Sequence, residues 1–480
     1  MPRFLWYLPP PCTKMESALL LQAEAGVIHQ PRDVLSLTVA SHNTQHLIAK
    51  LPIELIVHII RSGLDPPSQR SLSQVSRIFR YIFFFVPEFW STIVPKFPLE
   101  NNQLDYWRRS LANSKTAPLD IKLTIPDQNP FSEVDQGQGF LSLLPDLVIN
   151  MARWRTFEFV AELPGLMDLF LNEIIPVAVF PQLENLRLAC VEPIDTHDAA
   201  WFANDRSGEP STIMPRLRSF GLWNVWMRYP RGILDDLVEL RLIGDLGTML
   251  PLEEIVGMLK SSPNLEVLCI TADSPPINNL SPPPVTNETL HVALPRLRSL
   301  TFRGLSKIAA ITILPLLHLP ALEEFHLENT LAWLSGSTDI PDRLRMPEDY
   351  SSVIQIITYL NMPWERPSDV FTAPAGPQWP QGKLKELTLS WVTAEAMPFL
   401  DWLSFMRELT TLRVQFSDVD LLRVLQDGNV CPQLQTLHVE GFMDPAIRNE
   451  LERVMRGRPH LEVCVEATLA GADRTFRSRL

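Results

Sequence analysis

The sequence has few cysteines, no C-x-x-C pair and no long hydrophobic run. Its five cysteines are odd in number and widely scattered, a pattern that predicts neither a disulfide framework nor a zinc site. No apolar run approaches the roughly 18 residues that a membrane span requires. These shortages favour a reduced compartment, and we expect the chain to be cytoplasmic and/or nuclear.

Basic residues are in the minority. The 42 Lys and Arg stand against 55 Asp and Glu, which gives a formal net charge of −13. Because a negative surface repels phosphate backbones and anionic lipids, we expect neither nucleic acid nor a membrane as a partner.

Catalytic signatures are also missing. The motifs HExxH, GxSxG, GxxxxGK[ST] and a complete GxGxxG do not occur, and each of them carries a specific chemistry. We therefore expect a chain that is not an enzyme, with no catalytic residues, no metal ligands and no cofactor.

The length and the proline content bound the architecture. At 480 residues the chain exceeds what one hydrophobic core holds, since single cores stop growing near roughly 250 to 300 residues. The 43 prolines are nearly twice the average share of about 5% and predict many short elements. We divide the chain into an N-terminal arm (1–46), a helical module (47–95), a junction (96–150) and a repeat array (150–470) with an insertion near 330–383.

The densest apolar stretch is residues 51–90, "LPIELIVHIIRSGLDPPSQRSLSQVSRIFRYIFFFVPEFW". The spacing of Leu51, Leu55 and Ile59, with Ile56 and Ile60 beside them, predicts a short helix with an apolar face. A unit this small buries only about 60% of the surface that its unfolded chain exposes. Some of these side chains are therefore expected to remain exposed and to await a partner.

This stretch resembles the F-box, whose motif runs Leu-Pro-x-Glu-Leu-Leu-x-x-Ile, then Val-Cys-x-x-Trp, then Leu-Trp. The counterparts are residues 51–59, 75–79 and 89–90, with Ser76 and Phe79 in place of the usual Cys and Trp. The resemblance implies docking to the Skp adaptor, and through it to cullin, in SCF-type ubiquitin ligases. The residues that would form or support this docking face are Leu51, Pro52, Leu55, Ile59, Val75, Phe79 and Trp90. The alternative is that the same residues form the core of a small helical cap on the next domain.

A second pattern recurs along the rest of the chain. Six copies of P-x-L-x-x-[LF]-x-[LIVF] begin at residues 181, 215, 263, 295, 320 and 432, and five less regular copies begin near 154, 237, 384, 409 and 459. These eleven phrases resemble the strand core of leucine-rich repeats, whose unit is about 20 to 29 residues long. The predicted fold class is α/β, with the small helical F-box-like module followed by a leucine-rich repeat solenoid, a curved parallel sheet with outer helices.

The positions between the leucines are expected to face outward and to contact a target protein. The candidates are Arg187, Arg218, Glu266, Arg298, Glu324, His326 and Lys385. The sequence thus predicts a non-catalytic substrate-recognition subunit of an SCF-type ligase, which would hold the Skp adaptor with the F-box and an unknown target with the repeats. The alternative function is a non-catalytic repeat scaffold whose helical module only caps the solenoid.

Overall fold

In a computed structural model, the chain divides into two compact units between Phe89 and Trp90. The structure describes residues 51–63, 66–75, 77–97, 99, 101–125, 133–162, 164–171, 179–195, 214–226, 234–244, 252–272, 292–303, 313, 316–328, 383–390, 400, 403–415, 419–441, 445–468 and 475–479. The expected arm (1–46) and nearly all of the expected insertion near 330–383 lie outside the described residues.

The first unit is a helical module. It contains α1 (Ile53–Gly63), α2 (Pro66–Val75) and α3 (Arg77–Phe85), and a 3₁₀ turn follows at Pro87–Trp90. The Pro52 carbonyl accepts the first amide bonds of α1, and a proline opens α2, where its missing N–H leaves no helix bond unmade. A small core of Ile56, Ile60 and Ile82 joins the helices.

The second unit is built on a sheet of fourteen strands. The strands are β1 (Thr92–Ile93), β2 (Leu119–Ile125), β3 (Trp154–Ala161), β4 (Asn185–Asp195), β5 (Ser219–Trp226), β6 (Glu239–Gly244), β7 (Val267–Ala272), β9 (Ser299–Arg303), β11 (Glu324–Glu328), β12 (Glu386–Ser390), β13 (Thr411–Gln415), β14 (Thr436–Gly441), β15 (Glu462–Thr468) and β16 (Thr475–Arg479). Thirteen of these fourteen pair in parallel in chain order, and β16 joins antiparallel to β15. The strands β8 (Val292–Ala293) and β10 (Leu317–His318) form a separate parallel pair.

Helices connect several of these strands. They are α4 (Asn101–Asn113), α5 (Glu133–Ile149), α6 (Pro164–Leu169), α7 (Leu252–Lys260), α8 (Val419–Val424) and α9 (Pro445–Gly457). The buried side of α7 carries Ile255, Val256 and Leu259, and that of α9 carries Leu451 and Val454. This alternation of helices with a parallel sheet confirms the predicted α/β fold class.

All eleven repeat phrases contain a strand of this sheet, β3 to β7, β9 and β11 to β15. One apolar residue of each phrase, which in most phrases follows the first leucine by three positions, is buried and lies in register with its neighbours, in the row Phe157, Leu186, Phe220, Leu240, Leu268, Leu300, Phe325, Leu387, Leu412, Leu437 and Val463. The last phrase is one residue shorter, because Val463 follows Leu461 by two positions and not by three. One continuous core therefore runs through the array.

A tight turn precedes the strands and explains the prolines. The amide of the first leucine donates to the carbonyl three residues earlier, as in Leu265 to Ser262 (3.2 Å) and Leu297 to Leu294 (3.2 Å). In such a turn the second residue needs a φ near −60°, which proline supplies. The prolines at this position are Pro181, Pro215, Pro263, Pro295, Pro320, Pro432 and Pro459.

The sheet begins earlier than the boundary expected near residue 150. Strands β1 and β2 pair with each other at Thr92 and Asp120, and Trp107 of α4 and Phe140 of α5 are buried in the same core as the repeats. The segment expected as a junction (96–150) is thus part of the solenoid unit. Its strand "LDIKLTI" alternates between buried and more exposed residues but lacks the leucine phrase.

Candidate functional site

The helix α1 and the residues before it carry two apolar rows. Leu51, Leu55 and Ile59 are 38%, 50% and 57% exposed, whereas Ile56 and Ile60 are 4% and 7% exposed. Residues four apart lie on the same side of a helix, so one row faces the module's core and the other faces outward. We call Leu51, Leu55 and Ile59 the outer row.

A groove of about 370 Å³ lies beside the outer row. It is lined by Leu51, Ile56, Ile59, Ile60, Gly63, Leu72 and Phe79. Of the seven predicted docking residues, the groove brings together Leu51, Ile59 and Phe79, with Phe79 only half-buried. Pro52 and Leu55 are exposed, and Val75 is exposed at the end of α2.

Trp90 differs from the other predicted docking residues. It is 7% exposed and belongs to the second unit, where its ring centroid lies 6.4 Å from that of Tyr106. It therefore offers no exposed surface to an adaptor. Tyr106 belongs to α4, in a segment whose structure the repeat pattern did not predict.

A second exposed apolar surface, which the sequence patterns above do not predict, lies on α3. Tyr81, Phe84 and Phe85 are more than half exposed, and the rings of Tyr81 and Phe85 lie 4.5 Å apart. Ile82 and Phe83 are the residues of this run that are buried. The helical period of "YIFFF" could have predicted this surface. When Ile82 and Phe83 face the core, the residues on either side of them face outward.

The seven predicted target-binding residues occupy two different places on the solenoid. Arg187, Glu324 and His326 lie within strands β4 and β11. Arg218, Glu266, Arg298 and Lys385 each lie one residue before a strand, and their carbonyls accept two amide bonds from the next repeat, as Arg218 does from Val238 and Glu239. The structure thus separates a row at the beginnings of the strands from the outward face of the sheet.

Two charged residues at the ends of strands β9 and β11, Arg303 and Glu328, were not among the predicted target-binding residues. Arg303 of β9 pairs with Glu328 of β11 at 3.0 Å, and His326 contacts the same carboxylate at 3.4 Å. Burial alone would raise the pKa of Glu328, but the contact with His326 and the charge of Arg303 outweigh it and lower that pKa. The strict alternation of strands could have identified Arg303 and Glu328.

The last strands carry further charges on the outward face. Glu386 pairs with Arg413 at 3.1 Å, and His438 lies in register with Arg413. Burial and then the charge of Arg413 lower the pKa of His438, although Glu386, Glu462 and Glu466 act in the opposite direction. The lowered pKa favours the neutral form of His438.

Among the residues that the structure describes, no group of three or more His, Cys, Asp or Glu side chains is placed to hold a metal ion. Within the same residues, no helix is both long and apolar enough to span a bilayer.

In comparisons with known proteins, no family model matches the chain, and no curated protein matches it either. Among solved structures, the chain is similar to one described as the crystal structure of the Rad7 and Elc1 complex in yeast. The alignment covers 91% of this chain and 98% of that chain, with 14% identity and a TM-score of 0.37. At this identity and score the similarity defines neither a partner nor an activity.

Proposed function

We propose that the chain is a non-catalytic substrate-recognition subunit of an SCF-type ubiquitin ligase, acting in the cytoplasm and/or the nucleus. The helical module would dock the Skp adaptor, and through it cullin, while the outward face of the repeat sheet would hold a target protein. Ubiquitin transfer would then be promoted by proximity, because a bound target has a raised effective concentration near the transferred group.

The observation that carries the proposal is the outer row of α1. Exposed leucine and isoleucine side chains four residues apart form the kind of surface that enters a groove of a partner. Leu55 and Ile59 are at least half exposed, so they do not belong to the module's own core. Exposed apolar side chains of this kind support a docking role.

The sequence motif supports the same proposal independently of the exposure. The block from Leu51 to Ile59 resembles the first F-box block, and three of its motif positions, Leu51, Leu55 and Ile59, form the outer row, while the remaining apolar motif position, Ile56, is buried in the module's core.

The test is co-purification of the full chain with the Skp adaptor, followed by titration calorimetry. Wild type is expected to bind with submicromolar affinity. The double variant Leu51→Asp/Leu55→Asp is expected to bind at least about 100-fold more weakly, since central interface residues contribute about 2 kcal/mol or more each.

The matched control is Ile149→Asp, which places the same charge on an exposed apolar residue of the second unit, 80% exposed. This variant should bind like wild type. Circular dichroism must show that all three proteins are folded to the same extent. If folded wild type does not bind the adaptor, or if the double variant binds as well as wild type, the proposal is wrong and the scaffold alternative is favoured.

A further inference from the structure

Strand β16 is an exception to the pattern of the sheet. It pairs antiparallel with β15 over five residue pairs, from Cys464 with Arg479 to Thr468 with Thr475. Only residues 469–474 connect the two strands, and a parallel return would need a crossover of about a dozen or more residues. Its sequence, "TFRSR", contains no leucine, so β16 is not a further repeat.

The edge that β16 covers is a template for strand pairing. Val463 and Val465 of β15 point into the core and are 0% and 8% exposed, so β15 is held firmly by the array. An uncovered edge strand presents a row of free N–H and C=O groups that accepts another extended chain. The outer edge of β15 is therefore a preformed surface for main-chain hydrogen bonds.

The outward side of this edge is acidic. Glu466 of β15 lies in register with Glu440 of β14, and Glu462 opens β15. In the antiparallel pairing, Arg477 stands opposite Glu466, and Arg479 stands opposite Cys464. Residues directly opposite in antiparallel strands lie on the same face, and opposite charges there stabilise the pairing.

We propose that the outer edge of β15 is a docking site for an extended segment that carries arginine at alternate positions, and that residues 475–479 occupy this site in the chain itself. Main-chain bonds to β15 provide the affinity, and the carboxylates of Glu440, Glu462 and Glu466 select the basic side chains. If the docked segment belongs to the ligase target, this inference rests on the proposed function, and the target is then a protein with an unstructured segment that contains arginine. As a binding site it is testable alone.

Replacement of the resident strand requires that β16 open while the array stays folded. An edge strand of five residues contacts one neighbour in the sheet, and such elements open at a much lower free energy than a continuous core. The core of the array runs through the repeats. Opening of β16 therefore exposes the docking edge without unfolding the leucine rows.

The test uses a fluorescent peptide with the sequence of residues 471–480, "GADRTFRSRL", and fluorescence anisotropy. A variant that ends at residue 470 should bind the peptide at least about tenfold more tightly than the full chain, because the resident strand no longer competes. A peptide with glutamate at both strand arginines should bind at least about tenfold more weakly. Glu466→Lys in the shortened chain should reduce this preference. If the folded shortened chain binds neither peptide, or binds both equally, the inference is wrong.

A second variant covers the case in which the shortened chain does not fold. Full-length Arg477→Glu/Arg479→Glu should loosen the resident strand, so that the amides of β15 exchange faster and the wild-type peptide binds more tightly than to the wild-type chain. Unchanged exchange and unchanged peptide affinity would contradict the inference. Binding of the Skp adaptor is measured on the same preparations, so failure of the strand site and failure of the proposed ligase function are separate outcomes.

Discussion

The helical module and the repeat sheet use the same apolar residue types in opposite ways. In the described part of the sheet unit, every leucine of the repeat phrases is at most 7% exposed, whereas eight large apolar side chains of the described module are exposed. The latter are Leu51, Ile53, Leu55, Ile59, Val75, Tyr81, Phe84 and Phe85.

Size explains this difference better than composition does. Each repeat stacks on two neighbours, so its leucines enter a core that continues along the whole array. Three short helices have no such neighbours within their unit, and a small unit leaves a large fraction of its surface exposed. The comparison shows that an apolar period predicts which residues share a face, while the size of the unit determines whether that face is buried.

The largest expected effect comes from truncating one buried aromatic residue in the sheet unit. Phe157 is 1% exposed and stacks on Trp154 with ring centroids 4.3 Å apart. Phe157→Ala is expected to lower the free energy of unfolding by about 3 to 5 kcal/mol, because it removes buried apolar contacts and leaves a cavity. Urea unfolding followed by circular dichroism measures the loss.

Phe85→Ala in the module is the matched change. Phe85 is 60% exposed and contacts Tyr81, so we expect a loss of about 0.5 to 1.5 kcal/mol from that aromatic pair. Equal losses of unfolding free energy in Phe157→Ala and Phe85→Ala would contradict the conclusion that the first side chain faces inward and the second outward.

A smaller effect is expected from replacing a buried charged residue of the sheet unit. Arg458 is 2% exposed at a turn position where other repeats carry apolar residues such as Phe180 and Met214. Its guanidinium donates to the carbonyls of Asp427, Val430 and Cys431. Burial lowers the pKa of Arg458, against the opposing influence of Cys431 and Asp427.

Arg458→Met is expected to destabilise the chain by about 1 to 3 kcal/mol, since buried carbonyls lose their donors. The control is Arg80→Met in the module, where an exposed guanidinium donates to the Ser73 carbonyl at 3.1 Å, and its effect should stay below about 1 kcal/mol. Both are measured as shifts of the urea midpoint. A neutral Arg458→Met would mean that packing at this turn outweighs its hydrogen bonds.

The leucine phrase made most of the sheet predictable from sequence. It predicted the strands from β3 to β15 in the main sheet. Because the leucines alternate and each strand follows the same turn, each repeat can pair with its neighbour in only one register. The same phrase missed β2, whose "LDIKLTI" alternates without it, and α5, whose interior contains Pro145. The strand β16 has no apolar period in its sequence, so its position could be found only from the geometry of the sheet edge.

For the docking residues, too, the sequence predicts local spacing but not contacts between distant elements. The spacing of Leu51, Leu55 and Ile59 predicted their common face, since four-residue spacing is local to a helix. The burial of Trp90 could not be predicted in this way, because its ring contacts that of Tyr106, which lies on a different element, α4. Likewise, the contact of Arg303 with Glu328 joins strands β9 and β11, which are separated by 20 residues in the chain.

The smallest expected effect is a gain in stability when a proline is introduced into a repeat turn. It tests the contrast between the array, which is built from equivalent turns, and the module, which is not. Before β6, Asp235 occupies the second turn position that proline holds in most repeats, and the amide of Leu237 donates to the Leu234 carbonyl at 3.1 Å. Asp235→Pro should stabilise the chain by about 0.4 to 1 kcal/mol, because proline restricts the unfolded chain to the φ that the turn already uses.

Arg407 occupies the same position before β13, but its amide donates to the Phe405 carbonyl at 3.0 Å. Arg407→Pro removes that donor and should therefore give no gain or a loss, although the turn is otherwise equivalent. Thermal melting of the two variants beside wild type measures the difference. A rise in melting temperature for Asp235→Pro alone would show that the prolines of this chain stabilise the array through the turn conformation, since the two sites differ in whether the amide is already bonded. Equal shifts would contradict that explanation.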